Sequence, residues 1–91
     1  MEIKHYDNRF TAEQDGKVIG DISFFEEGEQ SIVIDSTKVV EEEQGNGVGE
    51  ELVRNVVEKA KGENKTIVPR CPYAEEKIKE NDDFKQVLET Q

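Results

Sequence analysis

Residues 44–49 form the segment of this chain whose residue types and spacing most clearly suggest a binding site. They read QGNGVG and lie between an apolar run and a stretch with helical spacing of its apolar residues. Glycines at the start of a helix leave backbone N–H groups uncovered at the positive end of the helix dipole. The segment therefore predicts a binding site for an anion, and phosphate is the natural candidate.

Two better-known phosphate motifs do not fit this segment. A Walker A loop ends in Gly-Lys followed by Ser or Thr, whereas the only Gly-Lys pair here, Gly16-Lys17, is followed by Val18. A dinucleotide fingerprint has the spacing G-x-G-x-x-G, but these glycines run G-x-G-x-G in a chain too short for a doubly wound domain. A flexible loop that merely starts a helix stays open as an alternative.

Three side chains elsewhere are candidates for proton or acyl transfer. Cys71 precedes Pro72, so it should be extended and should cap a helix, where the dipole and Arg70 both favour a thiolate. The thiol would be a nucleophile or an acyl contact, and the alternative is a small buried hydrophobic residue. Tyr73 could protonate a leaving thiolate or line a groove with its ring. His5 could be a general base near neutral pH, but its place at the start of the chain, far from residues 44–49, favours an exposed or packing role. We take Cys71 and Tyr73 as the catalytic candidates.

The first half of the chain predicts an antiparallel meander. Its strands are residues 9–14, 17–26 and 31–40. Asp15-Gly16 is a type I′ hairpin signal between the first two strands. The middle strand carries apolar residues on both faces, which indicates a central place in the sheet. The face assignment puts Val18, Ile22 and Phe24 on one side and Ile19 and Phe25 on the other.

The second half predicts a right-handed βαβ unit. Residues 48–61 have the apolar stripe of an amphipathic helix, and Gly62 should end it in the left-handed conformation. A short strand, residues 66–68, should then run parallel to strand 31–40. Ligands of such units bind beyond the carboxyl ends of the strands, where segment 44–49 and the corner at Cys71 both fall.

Two short helices should complete the chain. Pro72 suits the first turn of a helix that runs to about Glu80. Residues 81–83 should break this helix. Asp83 and Gln86 have the spacing of a capping box for a last helix.

Composition limits the partners and the setting. The chain has 91 residues, of which 33% are hydrophobic and 37% charged, and this predicts one domain, residues 1–91. Its net charge of −10 argues against nucleic acid and would attract a cationic amine. One His and one Cys offer no metal-ligand spacing. Without an apolar run for a membrane helix or signal peptide, and without a disulfide, we expect a cytoplasmic protein, monomeric or weakly dimeric, with no membrane contact.

Two segments together resemble the small stand-alone proteins of the GNAT type, the acyl-CoA-dependent N-acyltransferases. They are residues 44–49, with the spacing Q-x-x-G-x-G, and residues 68–74, which read VPRCPYA. The resemblance covers about the last two-thirds of the chain. It implies an α/β fold with a mixed sheet, in which an N-terminal antiparallel meander is followed by a parallel βαβ unit that carries the acyl-CoA pyrophosphate loop.

The resemblance also implies acetyl-CoA, or CoA, as the cofactor. Backbone N–H groups of the glycine segment would hold its pyrophosphate, strand residues would lie beside the pantetheine arm, and Cys71 would lie near the thioester. The implied binding residues are Val39, Val40, Gln44, Gly45, Asn46, Gly47, Val48 and Gly49. Many relatives have a histidine within the segment that here spans residues 35–39 and a tyrosine where this chain has Lys77, so a general acid or base is missing at both places.

The implied activity is transfer of an acyl group, expected to be acetyl, from CoA to a small-molecule or protein amine. A neutral amine would attack the thioester carbonyl, polarised by a backbone N–H near Val39. A variant would pass through acylated Cys71. The alternatives are a non-catalytic CoA-binding module and a protein-interaction domain. The carboxylates of Glu41, Glu42 and Glu43 would oppose an anion unless they point away, and Glu42 or Glu43 could instead serve as the base.

Overall fold

Five strands form one sheet, and three helices cover it with their apolar residues. The computed structural model describes residues 1–89, and Thr90 and Gln91 lie outside the described part. The strands are β1 Glu2–Tyr6, β2 Arg9–Gln14, β3 Lys17–Glu27, β4 Ser31–Val39 and β5 Thr66–Pro69. The helices are α1 Val48–Glu63, α2 Pro72–Glu80 and α3 Asp82–Lys85, with a 3-10 turn at Glu41–Glu43.

The sheet order is β1-β2-β3-β4-β5. The first four strands pair antiparallel with their sequence neighbours, and β5 joins β4 in parallel. The crossover from β4 to β5 contains α1. The predicted α/β fold, a meander followed by a parallel βαβ unit, is therefore confirmed.

Strand β1 is an edge strand that the sequence analysis did not predict. Four of its five residues are exposed, so the alternation that marks a half-buried strand is missing. Its partly buried residue, Ile3, lies opposite Ala12 and packs against the core. The ring of His5 stacks on Phe10 with the ring centroids 4.6 Å apart, which confirms its packing role.

A β-bulge decides which residues of β3 face the core. Along β2 the partner of Ala12 is Gly20, but the partner of Glu13 is Val18, so Ile19 is the extra residue. Ile19 is buried, whereas Val18 is 52% exposed. The faces of the sheet predicted for Val18 and Ile19 were therefore wrong, because one inserted residue reverses the alternation of side chains beyond it.

The three helices pack on one face of the sheet. Helix α1 contacts β2, β3, β4 and β5, and α2 contacts β4 and β5. The predicted stripe of α1 is fully buried in the shared core and consists of Leu52, Val53, Val56, Val57 and Ala60. Burial of each valine or leucine stabilises the fold by roughly 1.5–3 kcal/mol. No helix in the described residues is both long enough and apolar enough to cross a membrane.

The opposite face of the sheet carries no helix from residues 1–89. Phe25, Val33 and Val68 lie side by side there, because Val33 pairs with Phe25 on β3 and with Val68 on β5. The ring of Phe25 is 40% exposed. Val33 is nevertheless fully buried, and the Arg70 guanidinium lies 5.9 Å from the Phe25 ring centroid, so side chains cover this part of the face in place of a helix.

The end of α1 differs from the prediction. The helix continues through Gly62 to Glu63, and Asn64 takes the left-handed conformation with φ 56° and ψ 46°. The N–H of Asn64 donates to the carbonyls of Ala60 and Lys61. Asparagine tolerates this conformation better than most residues, so it replaces glycine as the stop.

The cap of α3 also differs from the prediction. The side-chain oxygen of Asn81 accepts from the N–H of Asp83 at 2.9 Å and from that of Phe84 at 3.1 Å. The predicted capping box from Asp83 to Gln86 was therefore wrong, since Asn81 begins the helix two residues earlier. The chain then returns to the sheet, where Leu88 forms a parallel bridge with Ile67.

Replacing Gly62 with Ala should stabilise the protein by about 0.5–1 kcal/mol. Alanine has the higher helix propensity, and a β-carbon at this position would meet no atom within 4 Å. Urea denaturation of both proteins measures the free energy of unfolding. The control is Asn64→Ala, which should destabilise because alanine disfavours positive φ. A loss of stability in Gly62→Ala would show that Gly62 is the left-handed stop after all.

Candidate functional site

A groove of about 500 Å³ opens where β4 ends and α1 begins. Its walls come from β4, the glycine segment, the first turn of α1, and α2. Seven of the ten predicted site residues line it: Val39, Gln44, Gly45, Gly47, Val48, Gly49 and Tyr73. The remaining predicted residues, Val40, Asn46 and Cys71, lie beside the groove and are not part of its lining.

Backbone conformation explains two of the glycines. Gly45 has φ 88° and Gly47 has φ 83°, in the left-handed region that side chains disfavour. A β-carbon at either position would meet no protein atom within 4 Å. The turn is therefore strained for other residues, and it leaves open space beside its backbone.

Helix α1 begins with unpaired backbone donors. Gly47 is its N-cap residue and supplies no side-chain cap. The first N–H with a helical acceptor is that of Glu51, which donates to the Gly47 carbonyl at 3.0 Å. The N–H groups of Val48, Gly49 and Glu50 come before it and have no intrahelical acceptor. Because these three residues line the groove at the positive end of a 16-residue helix, the site favours an anion.

The two polar side chains of the glycine segment hold the segment itself. Gln44 donates from Nε2 to the Val39 carbonyl at 3.2 Å, and Asn46 donates from Nδ2 to Glu43 Oε1 at 3.3 Å. The N–H of Val40 is also engaged, since it donates to the Ile19 carbonyl at 2.9 Å. These contacts fix the segment against the end of β4.

The inner edge of β4 is open beside the groove. Its ladder with β5 ends where Ile34 pairs with Pro69, and one further bond runs from Arg70 N to Ile34 O at 3.0 Å. Successive N–H groups of a strand point to opposite sides. Since Val40 donates towards β3, the N–H of Val39 points away from β3, into the gap that the two parallel strands leave.

Cys71 occupies the predicted corner between β5 and α2. It has φ −84° and ψ 123° and is the N-cap residue of α2, as expected for the residue before Pro72. The residue is 8% exposed, and its thiol donates to Thr37 Oγ1 over 3.6 Å. The neighbouring Arg70 guanidinium pairs with Glu27 at 3.5 Å. Cys71 therefore lies outside the groove lining, where its thiol contacts the lining residue Thr37.

Tyr73 packs against the start of α1. A β-carbon on Gly49 would lie 2.3 Å from the Tyr73 hydroxyl oxygen, so only glycine permits this approach. Burial raises the pKa of the Tyr73 phenol; Lys77 opposes the rise and Glu50 adds to it. The hydroxyl consequently keeps its proton through neutral pH and can act as a donor. Gly49 thus makes room for Tyr73 in addition to exposing its own N–H.

Four groove residues were not among the predicted site residues: Thr37, Glu43, Glu50 and Lys77. Two of them had a signal in the sequence. Thr37 lies two residues before Val39 on the same face of β4, and Lys77 lies four residues after Tyr73 on the same face of α2. Glu43, which the sequence offers as an opposing charge or a possible base, does not point away, because the 3-10 turn brings it into the lining of the groove. Within residues 1–89 no cluster of three His, Cys, Asp or Glu side chains could hold a metal ion.

Comparison with known proteins places these features in context. Residues 9–87 match the family model described as GCN5-related N-acetyl-transferase. A GCN5-like protein from Staphylococcus aureus, solved by NMR, is 30% identical with a TM-score of 0.81, over 99% of this chain and 89% of that one. A search of curated proteins finds no significant match.

Two longer proteins share the fold over part of their length. An IAA acetyltransferase from Bacillus cereus is 34% identical with a TM-score of 0.61, over 67% of this chain and 41% of that one. A GNAT family acetyltransferase from Elizabethkingia anophelis with acetyl-CoA bound is 24% identical with a TM-score of 0.62, over 67% and 40%. The chain spans about two fifths of these proteins.

Replacing Gly49 with Ala should displace the Tyr73 ring without unfolding the protein. The new β-carbon would lie 2.3 Å from the far end of a side chain that is 37% exposed and can turn away. The measurement is an NMR spectrum of protein labelled in its tyrosine rings. Tyr6, the other tyrosine, lies on β1 and serves as the internal control. Unchanged Tyr73 resonances would mean that the hydroxyl does not rest on Gly49.

Proposed function

Because the chain belongs to the family of GCN5-related N-acetyltransferases, we propose that it transfers an acyl group, in the simplest case acetyl, from acyl-CoA to an amine. The observation that carries this proposal is the glycine segment. It presents three unpaired N–H donors at the start of a long helix, and it faces a groove beside an open strand edge.

The groove suits the two chemically distinct parts of CoA. The N–H groups of Val48, Gly49 and Glu50 would bind the pyrophosphate, as helix N-termini bind phosphate groups. Other free backbone groups on the open edge of β4 would pair with the amides of the pantetheine arm, much as a strand pairs with a neighbour. The fold itself accommodates such a ligand, since the similar protein from Elizabethkingia anophelis has acetyl-CoA bound.

The proposed chemistry is direct transfer. Acyl-CoA supplies an activated thioester, and the Val39 N–H would polarise its carbonyl oxygen. The neutral amine forms a C–N bond with the carbonyl carbon and releases one proton to water, and water returns one proton to Tyr73 after it has served as the acid. Tyr73 donates its proton to the sulfur as the C–S bond breaks, and its raised pKa holds that proton in place until then.

The burial of Cys71 favours direct transfer over a covalent carrier. A nucleophilic thiol must reach the thioester, whereas this residue is 8% exposed and its thiol is bonded to Thr37. We assign it the alternative role considered from the sequence, that of a small residue packed behind the groove.

The acceptor is proposed to approach from the helix-free face of the sheet. No helix of residues 1–89 lies over that face where the pairing of β4 with β5 ends, which would give either a small amine or a protein side chain access. The net charge of −10 favours a cationic acceptor.

A non-catalytic CoA-binding module is the second candidate. The observation that favours it is that no histidine lines the groove to act as a general base. The single histidine, His5, stacks on Phe10 at the edge of the sheet. Turnover of acetyl-CoA with an amine distinguishes the two functions.

Titration with acetyl-CoA should shift the backbone amides of residues 46–50 more than those of the Asp15-Gly16 hairpin. Gly47→Val should abolish the binding, because its side chain would occupy the phosphate approach. Gly28→Val is the matched control, since Gly28 has φ 67° and equally open surroundings in a remote turn. NMR spectra of the three proteins check this. Largest shifts in the hairpin, or equal binding by both variants, would contradict the cofactor assignment.

Tyr73→Phe should lower kcat by about 10²-fold while leaving the affinity for acetyl-CoA nearly unchanged, because the ring remains and only the proton donor is lost. Since the pKa of Tyr73 is raised above its ordinary 10.0, the wild-type rate should not fall through loss of this proton below that pH. Steady-state kinetics across pH measure both effects. An unaltered kcat in Tyr73→Phe would show that Tyr73 only lines the groove and does not donate the proton.

A further inference from the structure

The groove carries an unfavourable charge for the anionic ligand proposed above. Among its lining residues, all within the described part of the chain, are two carboxylates, Glu43 and Glu50, and one cationic side chain, Lys77. The phosphates of CoA would be repelled by both carboxylates. The helix dipole alone offers only about half an elementary charge at its N-terminus.

Lys77 is placed to offset this repulsion. It lies one helical turn beyond Tyr73 on α2, across the groove from the glycine segment. Its Nζ lies 5.6 Å from the Tyr73 ring centroid, and the side chain is 31% exposed. The ammonium is therefore held at the groove by an aromatic face, with part of its surface still free for a ligand.

The ion partner of Lys77 within the protein is loose. Glu80 Oε2 lies 3.8 Å from Nζ, beyond hydrogen-bond distance, and the Glu80 side chain is 55% exposed. Such a surface pair holds a lysine weakly. A phosphate oxygen can form a shorter, charge-assisted bond with the same ammonium.

We infer that Lys77 is a phosphate-binding residue of this groove. Its ammonium contacts a phosphate oxygen of the CoA moiety from the α2 wall, while the N–H donors of α1 contact phosphate from the opposite wall. This inference rests on the proposed function. It gives Lys77 a binding role, distinct from the protonation of sulfur assigned to Tyr73.

The test compares Lys77→Gln with Lys79→Gln by calorimetric titration with CoA. Both variants lose one positive charge from α2, but Lys79 is 60% exposed, pairs with Glu75 at 3.5 Å and does not line the groove. We expect Lys77→Gln to weaken CoA binding about tenfold and to reduce its salt dependence. Lys79→Gln should change the Kd by less than about twofold, since its charge is exposed and screened.

Three further measurements make the result specific. Lys77→Arg should restore most of the affinity, because it returns the charge. Pantetheine, which lacks the phosphates, should bind the wild type and Lys77→Gln equally. Glu43→Gln should tighten CoA binding, since it removes an opposing charge and keeps an acceptor for Asn46.

Two outcomes would overturn the inference and leave the proposed function standing. One is an equal loss of CoA affinity in Lys77→Gln and Lys79→Gln when the wild type binds CoA. The other is a lowered kcat in Lys77→Gln with unchanged CoA affinity, which would mean that Lys77 acts through Tyr73. A wild type that binds neither CoA nor acetyl-CoA would instead refute the proposed function, and the inference with it.

Discussion

The parallel pairing of β4 with β5 stops at Ile34 and Pro69, and the groove exists because the two strands separate there. The last bond between the two chain segments runs from Arg70 N to Ile34 O, after which the chain leaves the sheet for α2. Beyond this point β4 continues against β3 alone, so its other edge keeps free backbone groups. Helices α1 and α2 begin on either side of the gap, and their first turns form the walls of the site.

Packing holds those walls in place. The buried stripe of α1 fixes the helix on the sheet, and Gly20 of β3 allows its first turn to approach closely. A β-carbon on Gly20 would lie 3.0 Å from Val48 Cγ1 and 3.0 Å from the Lys38 carbonyl. The close contact of Val48 with Gly20 therefore fixes the position of the N–H groups at the start of α1, although the glycine turn before them is exposed.

The site combines a strong anion preference of the backbone with an acidic surface. The N–H groups of α1 attract phosphate, while the carboxylates of Glu43 and Glu50 oppose it. Side chains on α2 balance this conflict: Tyr73 brings a neutral donor into contact with Gly49, and Lys77 brings a positive charge. The proposed anionic cosubstrate would thus have a site on an acidic protein that still favours the proposed cationic acceptor elsewhere on its surface.

The sequence by itself determined the features that depend on neighbouring residues. The glycine turn, the stripe of α1, the extended Cys71 before Pro72 and the order of the elements from β2 to α3 all follow from local backbone preference and periodicity. Only the tertiary structure decided the rest. Edge strand β1 forms because β2 offers it a partner, and Ile19 is buried because of a bulge in its pairing. Gly49 meets Tyr73, and Thr37 meets Cys71, across elements far apart in sequence. Such contacts depend on how far apart two packed elements lie, and no local pattern of residues encodes that distance.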